Sequence, residues 1–131
     1  MIKTQDRKTL LRTLVVDDSP ATARAIRSFL EMEVGAEVAG MAQSGAEAVA
    51  MARDLQPDLM LVDLFMPGLS GLEVVKRVRQ ASPATRIIII TVLGEELSGA
   101  CESVGAQGYV VKNRLHDSLP RAIERLFGQR A

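Results

Sequence analysis

Four short segments of this chain are apolar at nearly every position: Leu14-Val15-Val16, Leu59-Met60-Leu61-Val62, Ile87-Ile88-Ile89-Ile90 and Tyr109-Val110-Val111. A strand with one face in water alternates polar and apolar residues. A strand apolar throughout needs cover on both faces, which is the environment of a parallel sheet between two layers of helices. Glu37-Val38-Ala39-Gly40-Met41 is a weaker fifth candidate. Between these segments the apolar residues take helical spacing. Ile26, Phe29 and Leu30 share one face, as do Ala46, Val49 and Ala50, then Leu72, Val75 and Val78, and finally Leu115, Leu119, Ile123 and Leu126. Strand and helix alternate five times with short connections, which predicts a doubly wound α/β domain whose right-handed crossovers place helices on both faces.

The punctuation between elements agrees. Ser19-Pro20 reads as an N-cap followed by proline in the first helical turn. Ser44-Gly45-Ala46-Glu47 and Ser70-Gly71-Leu72-Glu73 match the capping box, in which serine and glutamate satisfy each other's free amides. Gly35 and Gly105 stand where helices should stop. The fourth helix, expected over Glu95 to Val104, has Gly94 and Gly99 around it and only a thin apolar stripe, so it is expected to be short or mobile. Met1 to Leu11 is a polar lead-in expected to be partly flexible, and 12–128 is the expected domain.

A length of 131 residues suits one such domain, and 47% hydrophobic residues supply its core. The 16 basic and 16 acidic residues balance, so no global field favours nucleic acid or an anionic membrane. The longest apolar run is too short to cross a bilayer, and no secretory signal is recognisable at the N-terminus. One cysteine, Cys101, rules out an intrachain disulfide, and there is no Cys/His cluster for zinc. The default expectation is a cytoplasmic protein.

In an open parallel sheet, ligands gather at the carboxyl ends of the strands near the point where strand order reverses. The residues following the strands are therefore informative: Asp17-Asp18 after the first, Asp63 after the third, Thr91 after the fourth and Lys112 after the fifth. Three carboxylates, a hydroxyl and an ammonium converge on one edge. Clustered carboxylates repel, and a hard divalent cation with oxygen ligands offsets that repulsion. Mg²⁺ suits a site that retains water and a phosphoryl oxygen. These parts match phosphoryl transfer, with Asp63 as nucleophile, Asp17 and Asp18 holding the metal, Lys112 on a phosphoryl oxygen and Thr91 donating to another.

Val16-Asp17-Asp18-Ser19, the stretch Pro57-Asp58 through Asp63-Leu64-Phe65-Met66-Pro67-Gly68-Leu69-Ser70-Gly71, Ile90-Thr91, and Gly105-Ala106-Gln107-Gly108-Tyr109-Val110-Val111-Lys112 together resemble the response-regulator receiver family. The resemblance runs from about Leu14 to Leu126. It implies a flavodoxin-like sheet of order 2-1-3-4-5 and a phosphoacceptor role for Asp63. It also implies metal binding by Asp17, Asp18, Asp63 and the Phe65 backbone carbonyl. Thr91 and Tyr109 are implied as a switch pair that moves on phosphorylation. The implied donor is a sensor histidine kinase or phosphotransfer protein, and the output is binding to a downstream effector. The resemblance implies no direct nucleic-acid or membrane partner, and dimerisation through helix 4, strand 5 and helix 5 is one output open to such a domain. Such a chain is a signalling switch, catalysing only its own phosphorylation and dephosphorylation. It either stands alone or forms one part of a longer regulator.

Three positions depart from the family pattern. Asn113 follows Lys112 where the family often has a cis proline; a cis bond before a non-proline residue costs roughly 2.5–4 kcal/mol, so a trans bond is expected. Val92 replaces a small residue beside Thr91, and Phe65 stands two residues past the acceptor. Both put bulk near the phosphoryl entrance, so slow reaction with small donors and slow turnover are expected.

Each candidate also has a plainer use. Asp17 and Asp18 are good residues before a helix, Asp63 suits a turn, Thr91 a strand end and Lys112 the solvent. Tyr109 suits half-buried packing. His116 beside Asp117 fits a helix start, Cys101 fits core packing, and Lys76, Arg77 and Arg79 read as the solvated face of the third helix. Among enzymes, an aspartate-nucleophile phosphatase would need a second aspartate at the position of Phe65 as its general acid. Neither a nucleotide-binding glycine motif nor a recognition-helix motif is present.

Overall fold

The structure is a computed structural model that describes residues 10–92 and 98–128. Five parallel strands form one sheet: β1 (Arg12–Val16), β2 (Glu37–Ala42), β3 (Leu59–Asp63), β4 (Arg86–Thr91) and β5 (Gly108–Val111). Their order is β2-β1-β3-β4-β5, so the chain winds outward in both directions from β1. The helices are α1 (Pro20–Phe29), α2 (Gly45–Leu55), α3 (Gly71–Ala81), α4 (Ser98–Ser103) and α5 (Leu115–Phe127). This is the doubly wound arrangement that the apolar strands demand.

The two faces of the sheet carry separate cores. Val15, Leu61, Ile88, Ile90 and Val110 meet α1 and α5 through Ile26, Phe29, Leu119 and Ile123. Leu14, Val16, Met60, Val62, Ile87 and Ile89 meet α2 and α3 through Ala48, Ala52, Val74, Val75 and Val78. Alternate residues of β3 and β4 thus point to opposite cores, and all of Ile87 to Ile90 are at most 2% exposed. Burial of each such side chain contributes roughly 1.5–3 kcal/mol.

The caps are largely those expected. The Thr22 amide donates to Ser19 Oγ, with Pro20 opening α1. The Glu47 and Glu73 amides donate to Ser44 Oγ and Ser70 Oγ. The return half of each box differs. Glu47 accepts from the Gln43 amide at 2.8 Å, one residue before the cap, while Glu73 turns along the helix to pair with Arg77 at 3.1 Å. The peptide after Lys112 is trans, and the chain enters α5 through a 3-10 turn at Lys112–Arg114.

Other expectations are corrected. In α2 the buried face is Gly45, Ala48 and Ala52, whereas Ala46 and Ala50 are exposed. An alanine-rich helix has little apolar contrast around its circumference, so close packing of its smallest residues sets its orientation. Leu11 is 4% exposed and already belongs to the core. After Phe29, the chain takes a π turn over Leu30–Val34 and closes at Gly35 with φ +80°, a conformation easy only for glycine. Arg79 is not a solvated residue of α3: its guanidinium donates to the Thr85 and Pro83 carbonyls. The expected fourth helix is described only over Ser98–Ser103, and Gly94 to Leu97 lie outside the described residues, as do residues 1–9 of the lead-in.

Candidate phosphoryl site at the carboxyl edge

β1 and β3 are neighbours at the centre of the sheet, with Val16 paired to Val62. Asp17 and Asp63 therefore emerge side by side one residue beyond that pair. Asp17 is 1% exposed, and its Oδ1 accepts from the Ser19 amide at 2.9 Å, an Asx turn that fixes the carboxylate while α1 begins. Asp63 is 7% exposed, and its Oδ1 accepts from the Phe65 amide at 3.2 Å. Asp18, next in the chain, is exposed. Carboxylate oxygens of Asp17, Asp18 and Asp63 all lie within 4.8 Å of one another.

β5 brings the counter-charge across the sheet. Lys112 Nζ lies 3.4 Å from Asp17 Oδ2 and 3.4 Å from Asp63 Oδ2. One ammonium bridging two carboxylates leaves the cluster net negative, so a cation is favoured there. The donor set, all hard carboxylate oxygens, fits a hard divalent ion better than a soft one.

Burial raises the Asp63 carboxyl pKa above its usual value and Asp17 pushes it the same way, while Lys112 and the Phe65 amide pull it down without cancelling the rise. For Lys112, burial alone would lower the ammonium pKa, but Asp17 and Asp63 outweigh it and hold the lysine above its ordinary value.

The sign for Asp63 yields a test. A carboxyl with a raised folded-state pKa contributes stability below its unfolded value, about 3.9, and loses it as pH rises through the folded value. Asp63→Asn should therefore melt higher than the wild type at pH 7 in metal-free buffer, by on the order of 1 kcal/mol. Lys112 retains Asp17 in the variant. The gap should close near pH 3, where the wild-type carboxyl is protonated. Thermal melts across pH with a chelator present check this, and a variant less stable at pH 7 would contradict it.

Thr91 ends β4 fully buried, one residue beyond the Asp63–Ile90 pair. Tyr109 is half-buried in β5, packed against the core cluster that contains Ile87 and Cys101. All the singled-out strand ends thus lie on one edge, with Asp17, Asp18, Asp63 and Lys112 in a single cluster. The His116 ring instead packs edge-on to Phe29, at 4.7 Å between centroids.

One contributor was not argued from the sequence. Gly71 opens α3 directly against the end of β3, its amide donating to the Leu64 carbonyl at 2.9 Å. A Cβ there would sit 2.7 Å from the Asp63 carbonyl oxygen and 2.7 Å from Leu64 Cα. The glycine belongs to the same stretch as Asp63, but only the helix–strand approach shows why.

The profile of the response regulator receiver domain family matches residues 13–124. The response regulator GacA of Pseudomonas aeruginosa is 32% identical over 123 residues, covering 92% of this chain and 58% of that protein. The chain thus spans a little over half the length of that relative. A LuxR-family two-component response regulator from Aurantimonas superposes with a TM-score of 0.85 at 33% identity, covering 94% of this chain and 89% of the other. The Vibrio cholerae chemotaxis protein CheY4 superposes with a TM-score of 0.81 at 30% identity, covering 91% of this chain and all of that one. Receiver folds of this kind therefore occur both alone and within longer regulators. With its sheet order, its acidic edge and its matched length, the chain belongs to the response regulator receiver domain family.

Proposed function

We propose that this chain is a phosphorylation-controlled switch in which the Asp63 carboxylate takes a phosphoryl group from a sensor histidine kinase or phosphotransfer protein. The supporting observation is the buried Asp63 carboxylate, bridged by Lys112 and sharing a cluster of under 4.8 Å with Asp17 and Asp18. Residues 12–128 form the working unit. Asp17, Asp18, Asp63 and the Phe65 backbone carbonyl would hold Mg²⁺, which when bound supplies charge neutralisation for an incoming phosphoryl group.

In the transfer, a carboxylate oxygen of Asp63 attacks phosphorus, the P–N bond of the phosphohistidine breaks, and its electron pair leaves with the imidazole. Lys112 pairs with a phosphoryl oxygen as a compact charge, and the Thr91 hydroxyl donates to another. Drawing Thr91 toward the phosphate, with Tyr109 following, shifts a pre-existing equilibrium in α4, β5 and α5. That face is the output surface, either for a downstream effector or for a second copy through α4, β5 and α5. The chain turns over no separate substrate, binds neither nucleic acid nor membrane itself, and works in the cytoplasm. Among the described residues no helix is long and apolar enough to cross a membrane.

The test is intact mass after incubation with acetyl phosphate. A single phosphoryl adduct is expected with Mg²⁺ and none with EDTA. If no adduct forms with Mg²⁺ and a panel of histidine kinases also fails, the chain is a binding module that works without phosphorylation.

A further inference from the structure

The corner between β2 and α2 touches both segments that carry the acidic cluster. On one side the Asp17 amide donates to the Ala42 carbonyl at 3.0 Å, which ties the backbone of the first acid to the end of β2. On the other side Gly45, buried in the first turn of α2, lies directly against the loop that joins β3 to α3. A Cβ at Gly45 would stand 2.7 Å from Leu69 Cβ, 2.9 Å from Leu69 Cδ2 and 2.8 Å from Val74 Cγ2. The corner is itself braced, since Ser44 Oγ accepts from the Glu47 amide and the Glu47 carboxylate accepts from the Gln43 amide. The loop has fewer anchors. Leu64 and Met66 are buried, whereas Phe65, Pro67, Gly68 and Ser70 are exposed. Beyond Met66 it is half-buried Leu69 that packs inward, against the core shared by α2 and α3.

We infer that Gly45 is a positioning residue for the acidic site: by letting α2 close on Leu69 it fixes the loop that presents the Phe65 carbonyl, and so sets the preference of the site for Mg²⁺ over larger divalent ions. This rests on the metal site proposed above. The reason lies in what the ions demand. Mg²⁺ needs near-ideal octahedral geometry at about 2.0–2.1 Å, whereas Ca²⁺ accepts irregular shells at about 2.3–2.6 Å. A carbonyl on a loosely held loop serves the second ion but not the first. The carboxylates alone cannot make that distinction, because their charge attracts both ions alike. An ordinary carbon–carbon contact is about 3.5–4.0 Å, so a methyl group at Gly45 would drive its neighbours back by about 1 Å. Val74 is fully buried in α3, so the part that yields is Leu69 and the loop around it.

The test reads metal binding with no phosphodonor present. Melting temperatures of wild type, Gly45→Ala, Leu69→Ala and Gly40→Ala are followed against Mg²⁺ and, separately, Ca²⁺ concentration. Each protein is compared with its own metal-free melt, so a change of stability alone does not alter the dissociation constant obtained. For Gly45→Ala the Mg²⁺ constant should rise about tenfold, the low end of what loss of a ligand's outer support costs, while the Ca²⁺ constant stays within about twofold. Leu69→Ala removes the brace from the loop side without overpacking. It should weaken Mg²⁺ binding in the same selective way, and it decides the matter if Gly45→Ala does not fold. Gly40→Ala is the control, crowding α2 at its other end, where Met51 Cε at 2.6 Å and Leu55 Cδ1 at 3.1 Å take the strain. It should leave both constants unchanged. Unaltered Mg²⁺ binding in Gly45→Ala and Leu69→Ala, an equal loss for both ions, or the same loss in Gly40→Ala overturns the positioning role while leaving the acidic cluster as a metal site. If Mg²⁺ fails to raise the melting temperature of the wild type, the metal reading and this one fall together.

Discussion

Asp63→Asn is expected to lower formation of the phosphoryl adduct by at least about a thousandfold, leaving none detectable by intact mass. The amide keeps the size of the side chain but lacks a negatively charged oxygen, so no acyl phosphate can form. Structural collapse would not explain the loss, because this variant should be the more stable protein without metal. Burial and Asp17 both disfavour the Asp63 charge, and Asn removes it. Loss of the adduct together with a raised melting temperature is the combination expected of a nucleophile whose charge is disfavoured chiefly by burial. If Asp63→Asn still accepted phosphate, the acceptor would have to be sought elsewhere, with Asp17 and Asp18 the first residues to replace.

Gly71→Ala is expected to destabilise the fold by about 2–4 kcal/mol, a large part of the roughly 5–15 kcal/mol that holds a domain together. The added methyl would meet Asp63 O at 2.7 Å, Leu64 Cα at 2.7 Å and Leu64 O at 3.0 Å. All three are backbone atoms and have no rotamer by which to move aside. Either α3 withdraws, losing the bond from the Gly71 amide to Leu64 O, or the end of β3 shifts and carries the Asp63 carboxylate with it. Phosphorylation in whatever fraction folds should slow accordingly, by about tenfold, since displacements on the order of 1 Å can cost that much or more. Gly99→Ala is the control, because a Cβ there meets nothing within 4 Å. It should leave stability unchanged or raise it by up to about 1 kcal/mol, since alanine is the better helix former. Urea unfolding with comparison of midpoints and slopes decides both cases, and equal effects of the two substitutions would remove the argument from close packing.

Much of this molecule is legible in one dimension. A run such as Ile87 to Ile90 has no solvent face to offer, so both sides of its sheet must be covered, and the doubly wound arrangement follows. The acidic edge follows in turn, because a parallel sheet sends every strand's carboxyl end to the same side. Asp17, Asp18, Asp63, Thr91 and Lys112 therefore share an edge before any coordinate is known. The helix starts at Ser19, Ser44 and Ser70 are equally local, since each cap involves residues within four positions of one another.

What the tertiary structure decided is whatever depends on contrast that the sequence lacks or on atoms distant along the chain. The orientation of α2 is one case: Ala46 and Ala48 differ in burial but not in chemistry, and only packing against the sheet and α3 separates them. Arg79 is another. It reads as a surface cation until the turn at Pro83 and Thr85 brings two carbonyls to it. The buried Ser82–Thr85 hydroxyl pair, with Thr85 donating to Pro57 O at 2.7 Å, joins segments 28 residues apart. The bridge from Lys112 to both Asp17 and Asp63 is of the same kind. Composition places one ammonium and two carboxylates on an edge, but the order of β5, β4, β3 and β1 across the sheet, with the trans peptide and the 3-10 turn after Lys112, decides that it reaches both. Local rules act over a turn of helix, whereas charge pairing and close approach act through space, and only the folded chain sets those distances.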